Sequence, residues 1–300
     1  MKAGGIMRNF ILGTDWWTDC DDVVALRLLA RAHKAKEINL LGIIMNACME
    51  YSVTSLEGFL NTEEVYDIPL AIDLAATDFG GNPPYQKRLS QFAKKYHSNA
   101  DAKDSVKLYR TILEKAKTPV ELIEIGYPQV LAALLLSKPD EISNLSGVEL
   151  LKNKVSKIWM MAGKWDKNPD MENNFARNER SRVAANIFCD ICPVPVTFLG
   201  WEVGDSVITG GNLDKNDPLY LALCDHGSSN GRSSWDPMLC LLALIGNEEK
   251  AGYSTISGKA SVDAKTGENS FYVINEGLHK YVVKQKEDIY YADAINKLIN

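Results

Sequence analysis

GTDWWTDCDDVVALRLLARA, residues 13–32, sets four acids (Asp15, Asp19, Asp21 and Asp22) in eight positions beside two tryptophans, directly ahead of an apolar, helix-like run. Before it lies NFILG (9–13), short, apolar and closed by glycine, which reads as a strand buried on both faces. The alternation continues along the chain. INLLGIIM (38–45), IPLAID (68–73), VELIEIG (120–126), KIWMMAG (157–163) and VPVTFLG (194–200) read as strands, and 21–34, 55–66, 104–117, 128–137 and 181–190 as helices. This order predicts an α/β fold, an open, mainly parallel central sheet flanked by helices, in one domain over 1–300. After about residue 245 the composition shifts, and GYSTISGKASVDAKTGENSFYV (252–273) predicts a late β-rich appendage that turns at KTGEN. In open sheets, ligands sit outside the carboxyl ends of the strands. The acidic loop lies at such an end.

The bulk numbers narrow the function classes. With 300 residues, 46% of them hydrophobic and 24% charged, the chain can bury a sizeable core. A net charge of −6 and no local cluster of lysines and arginines argue against nucleic acid as a partner, because phosphate binding wants a basic surface. No apolar run reaches secretory or membrane-spanning length, so a cytoplasmic protein without a membrane partner is expected. Six cysteines sit mostly in apolar segments. Cys189 and Cys192 form a CxxC, but no second CxxC or histidine pair completes a zinc framework, and buried thiols are the default.

One or two of the loop acids are explained by helix capping, since carboxylates favour a helix N-terminus. Four are not: like charges a few ångströms apart raise each other's pKa unless a cation neutralises them. Oxygen-only ligands favour Ca²⁺ or Mg²⁺ over zinc. An EF-hand does not fit, because Cys20 stands at the glycine position and Leu26 at the closing glutamate. A Walker loop does not fit either, there being no glycine-rich run ending in Lys-Ser/Thr. No lysine or second acidic motif supports an aspartyl phosphatase.

With these residues in view, TDWWTDCDDVVAL resembles the N-terminal calcium motif of the nucleoside hydrolases, the inosine–uridine-preferring superfamily. Further stretches resemble that family in order and spacing. They are GIIMNAC with Asn46, IEIGYPQVLAALL with Gln129, IWMMAGKW with Met161, DMENNF with Glu172 and Asn174, FLGWEVG, and GRSSWDP with Asp236. The resemblance runs from about residue 9 to residue 245 and more loosely beyond. It implies a calcium ion held by Asp15, Asp22, the backbone carbonyl of Gln129 and Asp236, with Asp15 also the general base. It implies a ribose held by Asp21, Asn46, Met161, Glu172 and Asn174. A small-molecule nucleoside or ribosyl substrate is implied as partner, and a homo-oligomer, dimer or tetramer. Glycosidic cleavage passes through an oxocarbenium-like state, which nearby carboxylates stabilise.

Each residue also has a plainer reading. Asp236, before Pro237 and an apolar run, suits an N-cap; Asn46 suits a turn; Glu172 and Asn174 suit a polar surface loop; Met161 suits core. Trp16 and Trp17 suit packing, or one of them stacks on a base.

Four departures from the family pattern stand out. Gly13 replaces an additional aspartate, Gln129-Val130 replaces Thr-Asn, and Asn173 replaces an aromatic. Trp235 precedes Asp236 where pyrimidine-accepting members carry a histidine that protonates the leaving base. His33 closes a helix, and His226 and His279 are expected in loops from which they can approach the site. Without an evident acid, a purine is the easier leaving group, and Trp235 joins Trp16 and Trp17 as a candidate base contact. The expectation is a calcium-dependent ribonucleoside hydrolase leaning to purines. The alternatives are a calcium- and ribosyl-binding protein without turnover, or a hydrolase of another glycosyl compound on the same scaffold.

Overall fold

The computed structural model describes residues 7–166 and 171–300; Asp170, which opens the DMENNF stretch, lies outside them. The first strand, β1 (Arg8–Thr14), is buried along its last five residues. It is followed by β2 (Ile38–Met45), β3 (Leu70–Ile72), β4 (Lys103–Asp104), β5 (Val120–Glu124), β6 (Val155–Met161), β7 (Val196–Leu199), β8 (Ile208–Thr209), β9 (Arg232–Ser233), β10 (Tyr253–Val262), β11 (Asn269–Val273) and β12 (His279–Lys284). Ten of these form one sheet in the order β11-β10-β12-β7-β6-β5-β1-β2-β3-β4, and β8 and β9 pair separately. From β7 to β4 every pairing is parallel. The fold class read from the sequence is the one observed. The late β-rich segment extends this same sheet as its edge, β12 joining β7 in parallel and β10 and β11 adding antiparallel strands.

Alternate residues of the central strands enter opposite layers, as a period of two requires. Phe10, Leu12, Trp159 and Met161 face one apolar cluster, while Ile11, Ile158 and Met160 face the other. With both faces covered by helices, the strands are apolar throughout rather than alternating. The short helices Pro84–Leu89 and Gly147–Lys154, of six and eight residues, span too few turns for a period to stand out. Among the described residues, no helix is long and apolar enough to cross a membrane.

Two features of this topology position a site. The chain runs β1 to β2 to β3 on one side of β1 and β5 to β6 to β7 on the other, so the strand order reverses beside β1. Such a switch point leaves a crevice at the carboxyl ends, because the connections diverge there. The helix Asp21–Lys34, which leaves β1, is then locked from outside. Buried Arg27 gives Asp217 two hydrogen bonds, Nη1 to Oδ2 at 2.7 Å and Nη2 to Oδ1 at 2.6 Å, and its Nε gives Glu63 one at 2.7 Å. Bidentate geometry of this kind fixes orientation as well as contact.

Candidate active site

The loop between β1 and its helix is backbone-strained and held by side chains. Trp16 (φ 50°) and Thr18 (φ 62°) both adopt left-handed conformations, each costing about 1–3 kcal/mol for a residue with a Cβ. The surroundings over-determine them. The Trp16 carbonyl accepts from Gln86 Nε2 at 2.7 Å, and its indole donates to Ser55 Oγ at 2.8 Å. Trp17 Nε1 donates to the Gly81 carbonyl at 2.6 Å. The Trp16 N–H reaches Thr14 Oγ1 at 3.0 Å, and the Thr14 hydroxyl donates to Asp22 Oδ1. The loop therefore turns its acids inward.

Asp21, Asp22 and Asp236 each bring a carboxylate oxygen within 4.8 Å of the others, all buried. Asp236 sits in the first turn of the helix Trp235–Ile245, one residue past Trp235, and its N–H donates to Asp21 Oδ2 at 3.0 Å. The helix cap is Ser234, so the plainer reading of Asp236 as an N-cap does not apply. Asp15 lies on the same cavity outside that triad, its Oδ1 accepting from Trp17 N at 3.0 Å. All four carboxyls are held well above the ordinary range, by burial first and also by one another's charge. Asp19 turns to Arg232, which binds it through Nε and Nη2 at 2.8 and 2.6 Å. The four buried acids offer an all-oxygen donor set with too little positive charge of their own, and a hard divalent cation fits such a set.

The facing wall comes from the ends of β6 and β7. Glu172 caps the short helix Asn173–Ala176, accepting from Asn174 N at 2.7 Å, Phe175 N at 3.2 Å and Gly163 N at 2.8 Å. Burial still pushes its carboxyl up to about 7 against those bonds. Asn174 Nδ2 donates to the Met161 carbonyl at 2.9 Å. At the mouth, the Trp201 and Trp235 rings stack with centroids 6.3 Å apart and planes 29° apart, and Trp235 Nε1 donates to the Trp201 carbonyl at 2.8 Å. The cavity enclosed is about 190 Å³.

Of the residues singled out from sequence, Asp15, Asp21, Asp22, Met161, Glu172, Asn174, Trp17, Trp235 and Asp236 line this cavity. Three do not. Trp16 is wholly buried in the core against Phe59 and Tyr85, with no ring face left for a base. Asn46 lies beneath the cavity, its Nδ2 donating to Glu124 Oε1 at 2.7 Å and its Oδ1 accepting from Tyr127 N at 2.9 Å. Gln129 is buried too, and its side-chain amide donates to the Asn46 carbonyl. The histidines are likewise redistributed. His279 lies in β12 rather than a loop, fully buried, its Nδ1 accepting from Ala260 N at 3.0 Å. His226 ends the helix Pro218–His226 and brings a ring nitrogen within 4.8 Å of Asp19 and Cys20, although it does not line the cavity. Cys189 and Cys192 are buried free thiols. Trp201 and Glu124 carried no role in the sequence reading. The signals were an aromatic directly after a strand end and an acid inside an apolar strand.

The raised carboxyls make stability depend on pH. A group whose pKa is higher in the folded protein stabilises it below its unfolded value and loses that contribution as pH rises through the folded one. Glu172, pushed up to about 7, and Glu124, pushed up to about 8 by burial, set the window. His279, held down to about 4 by burial, acts oppositely, but only below about pH 6.5. The melting temperature in a chelator is therefore expected to fall between pH 6.5 and 8. A rise across that interval in a thermal scan would contradict the raising of these carboxyls by burial.

The fold is that of the nucleoside hydrolases. Among solved structures the chain is similar to an inosine–uridine preferring nucleoside hydrolase from Bacillus anthracis, at 13% identity and a TM-score of 0.68 over 98% of this chain and 99% of that one. It is also similar to a purine-preferring ribonucleoside hydrolase from Gardnerella vaginalis, at 15% identity and a TM-score of 0.71 over 97% and 98%. A third similar structure is the type III effector protein XopQ complexed with adenosine diphosphate ribose, at 14% identity and a TM-score of 0.65 over 98% and 94%. No protein-family model and no curated protein sequence matches the chain.

Proposed function

We propose that the protein hydrolyses the N-glycosidic bond of ribonucleosides in a calcium-dependent manner, releasing ribose and a free base, with purine nucleosides preferred. The observation that carries this reading is the meeting of Asp15, Asp21, Asp22 and Asp236 at the reversal of strand order, opposite Glu172 and Asn174. The fold shared with nucleoside hydrolases supports it. Asp22, Asp236 and Asp15 are the proposed calcium ligands, with Asp21 in the same cluster; the carbonyl of Gln129, a ligand by the family resemblance, belongs to a residue that does not line the cavity. When bound, calcium supplies Lewis acidity toward a water and two sugar hydroxyls.

The chain's own groups do the rest. Asp15, on the cavity wall beside the other acids, is the proposed general base, and burial raises its carboxyl, which strengthens it as a proton acceptor. Asp21 and Glu172 place negative charge along the ribose, where positive charge develops. Asn174 keeps its amide nitrogen on the Met161 carbonyl, which leaves Oδ1 to accept from a sugar hydroxyl. A cavity of about 190 Å³ is smaller than the roughly 300–1,000 Å³ that encloses a drug-sized ligand. It suits the sugar, with the base outside it against Trp201 and Trp235.

Stacking on that pair favours the larger purine face. Alanine substitution of a stacking aromatic costs about 1–3 kcal/mol per base, so Trp235→Ala is expected to raise KM for purine nucleosides about tenfold and for pyrimidine nucleosides less. Steady-state kinetics on inosine, guanosine, uridine and cytidine decide it. Equal changes for both classes would remove the tryptophans as the source of purine preference.

A second reading is a ribosyl-ligand-binding protein without turnover. It is favoured because no histidine lines the cavity among the described residues, and because the similar effector structure holds adenosine diphosphate ribose. It predicts ligand-dependent thermal stabilisation with no free base formed.

A further inference from the structure

We propose that Glu124 is a positioning residue of this site and that Gly13 is glycine to make room for it. The two residues face each other across the parallel pair β1–β5, at the ends that carry the site. A Cβ on residue 13 would stand 2.1 Å from Glu124 Oε2 and 2.6 Å from its Cδ, so the carboxylate fills the space that a side chain at 13 would take. Gly13 is not among the positive-φ glycines, so the backbone does not demand it. Space does.

What the carboxylate does there is legible from its bonds. Oε1 accepts from Asn46 Nδ2 at 2.7 Å and from Gly126 N at 3.1 Å. Asn46 in turn holds Tyr127 through its Oδ1 and Gln129 through its carbonyl, and its own N–H donates to the Thr14 carbonyl at 2.9 Å. Gly126 packs so closely that a Cβ on it would lie 2.3 Å from Asp15 N. One buried acid thus ties the ends of β1, β2 and β5 together directly under Asp15. Its Oε2 has no hydrogen-bond partner among the described residues, and Asp15 and Asp22 repel its charge. An apolar residue would serve stability better at such a place. The acid is explained by the acceptor it supplies to Asn46 and Gly126.

The inference rests on the proposed function, its kinetic arm on hydrolysis and its thermal arm on calcium binding. The test is a double-mutant cycle on the full chain with Gly13→Ala, Glu124→Ala and the double variant, together with Glu124→Gln. Two quantities are read: kcat and KM on inosine, and the calcium concentration giving half of the maximal thermal shift. A displacement of about 1 Å in catalytic geometry costs up to about a hundredfold. Gly13→Ala and Glu124→Ala are each expected to lower kcat thirty- to a hundredfold with KM within threefold, and to raise the half-saturating calcium concentration. The double variant should be no worse than Glu124→Ala, because the added methyl has nothing left to displace. Glu124→Gln, whose amide oxygen keeps both bonds, should rescue kcat to within threefold of the parent. Additive losses in the double variant, a Glu124→Gln as impaired as Glu124→Ala, or a Glu124→Ala that melts lower with kcat unchanged would each overturn the proposal. If the parent releases no base from any nucleoside, the hydrolase reading fails by itself. The calcium shift then decides alone, non-additivity supporting the positioning role and additivity overturning it.

Discussion

Asp15→Asn is expected to lower kcat by about 10²–10⁴, the range that a positioned general base contributes. The substitution is nearly isosteric, and the amide oxygen can still accept from Trp17 N, so the loop should keep its shape. What is lost is proton affinity at the cavity wall. Asp15 stands outside the tight triad of Asp21, Asp22 and Asp236. Calcium should therefore still raise the melting temperature of this variant, if by less than in the parent. Stopped assays of base release beside a thermal scan separate the two effects. A kcat within threefold of the parent would remove Asp15 from the chemistry.

Replacing Asp22 and Asp236 together by alanine is expected to abolish both base release and the calcium-induced thermal shift. A ligand at about a hundred times its Kd stabilises the folded state by about 2.7 kcal/mol, and that increment should vanish. The calcium-free variant should nevertheless melt no lower than the calcium-free parent. The parent buries four carboxyls close together, each disfavoured as an anion by burial and by its neighbours' charge, and the variant removes two of them. Loss of ligand stabilisation without loss of intrinsic stability is the signature of a cation cage. A calcium shift that survives both substitutions would place the ion elsewhere.

The parallel sheet was legible because strands buried on both faces are nearly continuous apolar runs, as NFILG and INLLGIIM are. The site was legible because four acids crowd just beyond such a run, more than helix capping explains. Residues acting through backbone contacts were not. Glu124 reads locally as one acid in an apolar strand, and only its register opposite Gly13 reveals what it does. Trp16 and Trp17 are adjacent and chemically identical. The left-handed turn at Trp16 sends one into the core and the other to the cavity, a divergence that periodicity does not encode. The β-rich end was seen as strands, yet its union with β7 depends on pairing over some eighty residues of sequence separation, as between Val196 and His279.

The most direct test is free-base release from a panel of purine and pyrimidine nucleosides by the intact protein, with calcium, with a chelator, and after calcium is restored. Release that stops in chelator, returns with calcium and is faster for purines is the result expected. No base from any nucleoside, in protein that calcium demonstrably stabilises, would contradict the hydrolase and leave the ribosyl-binding reading in its place.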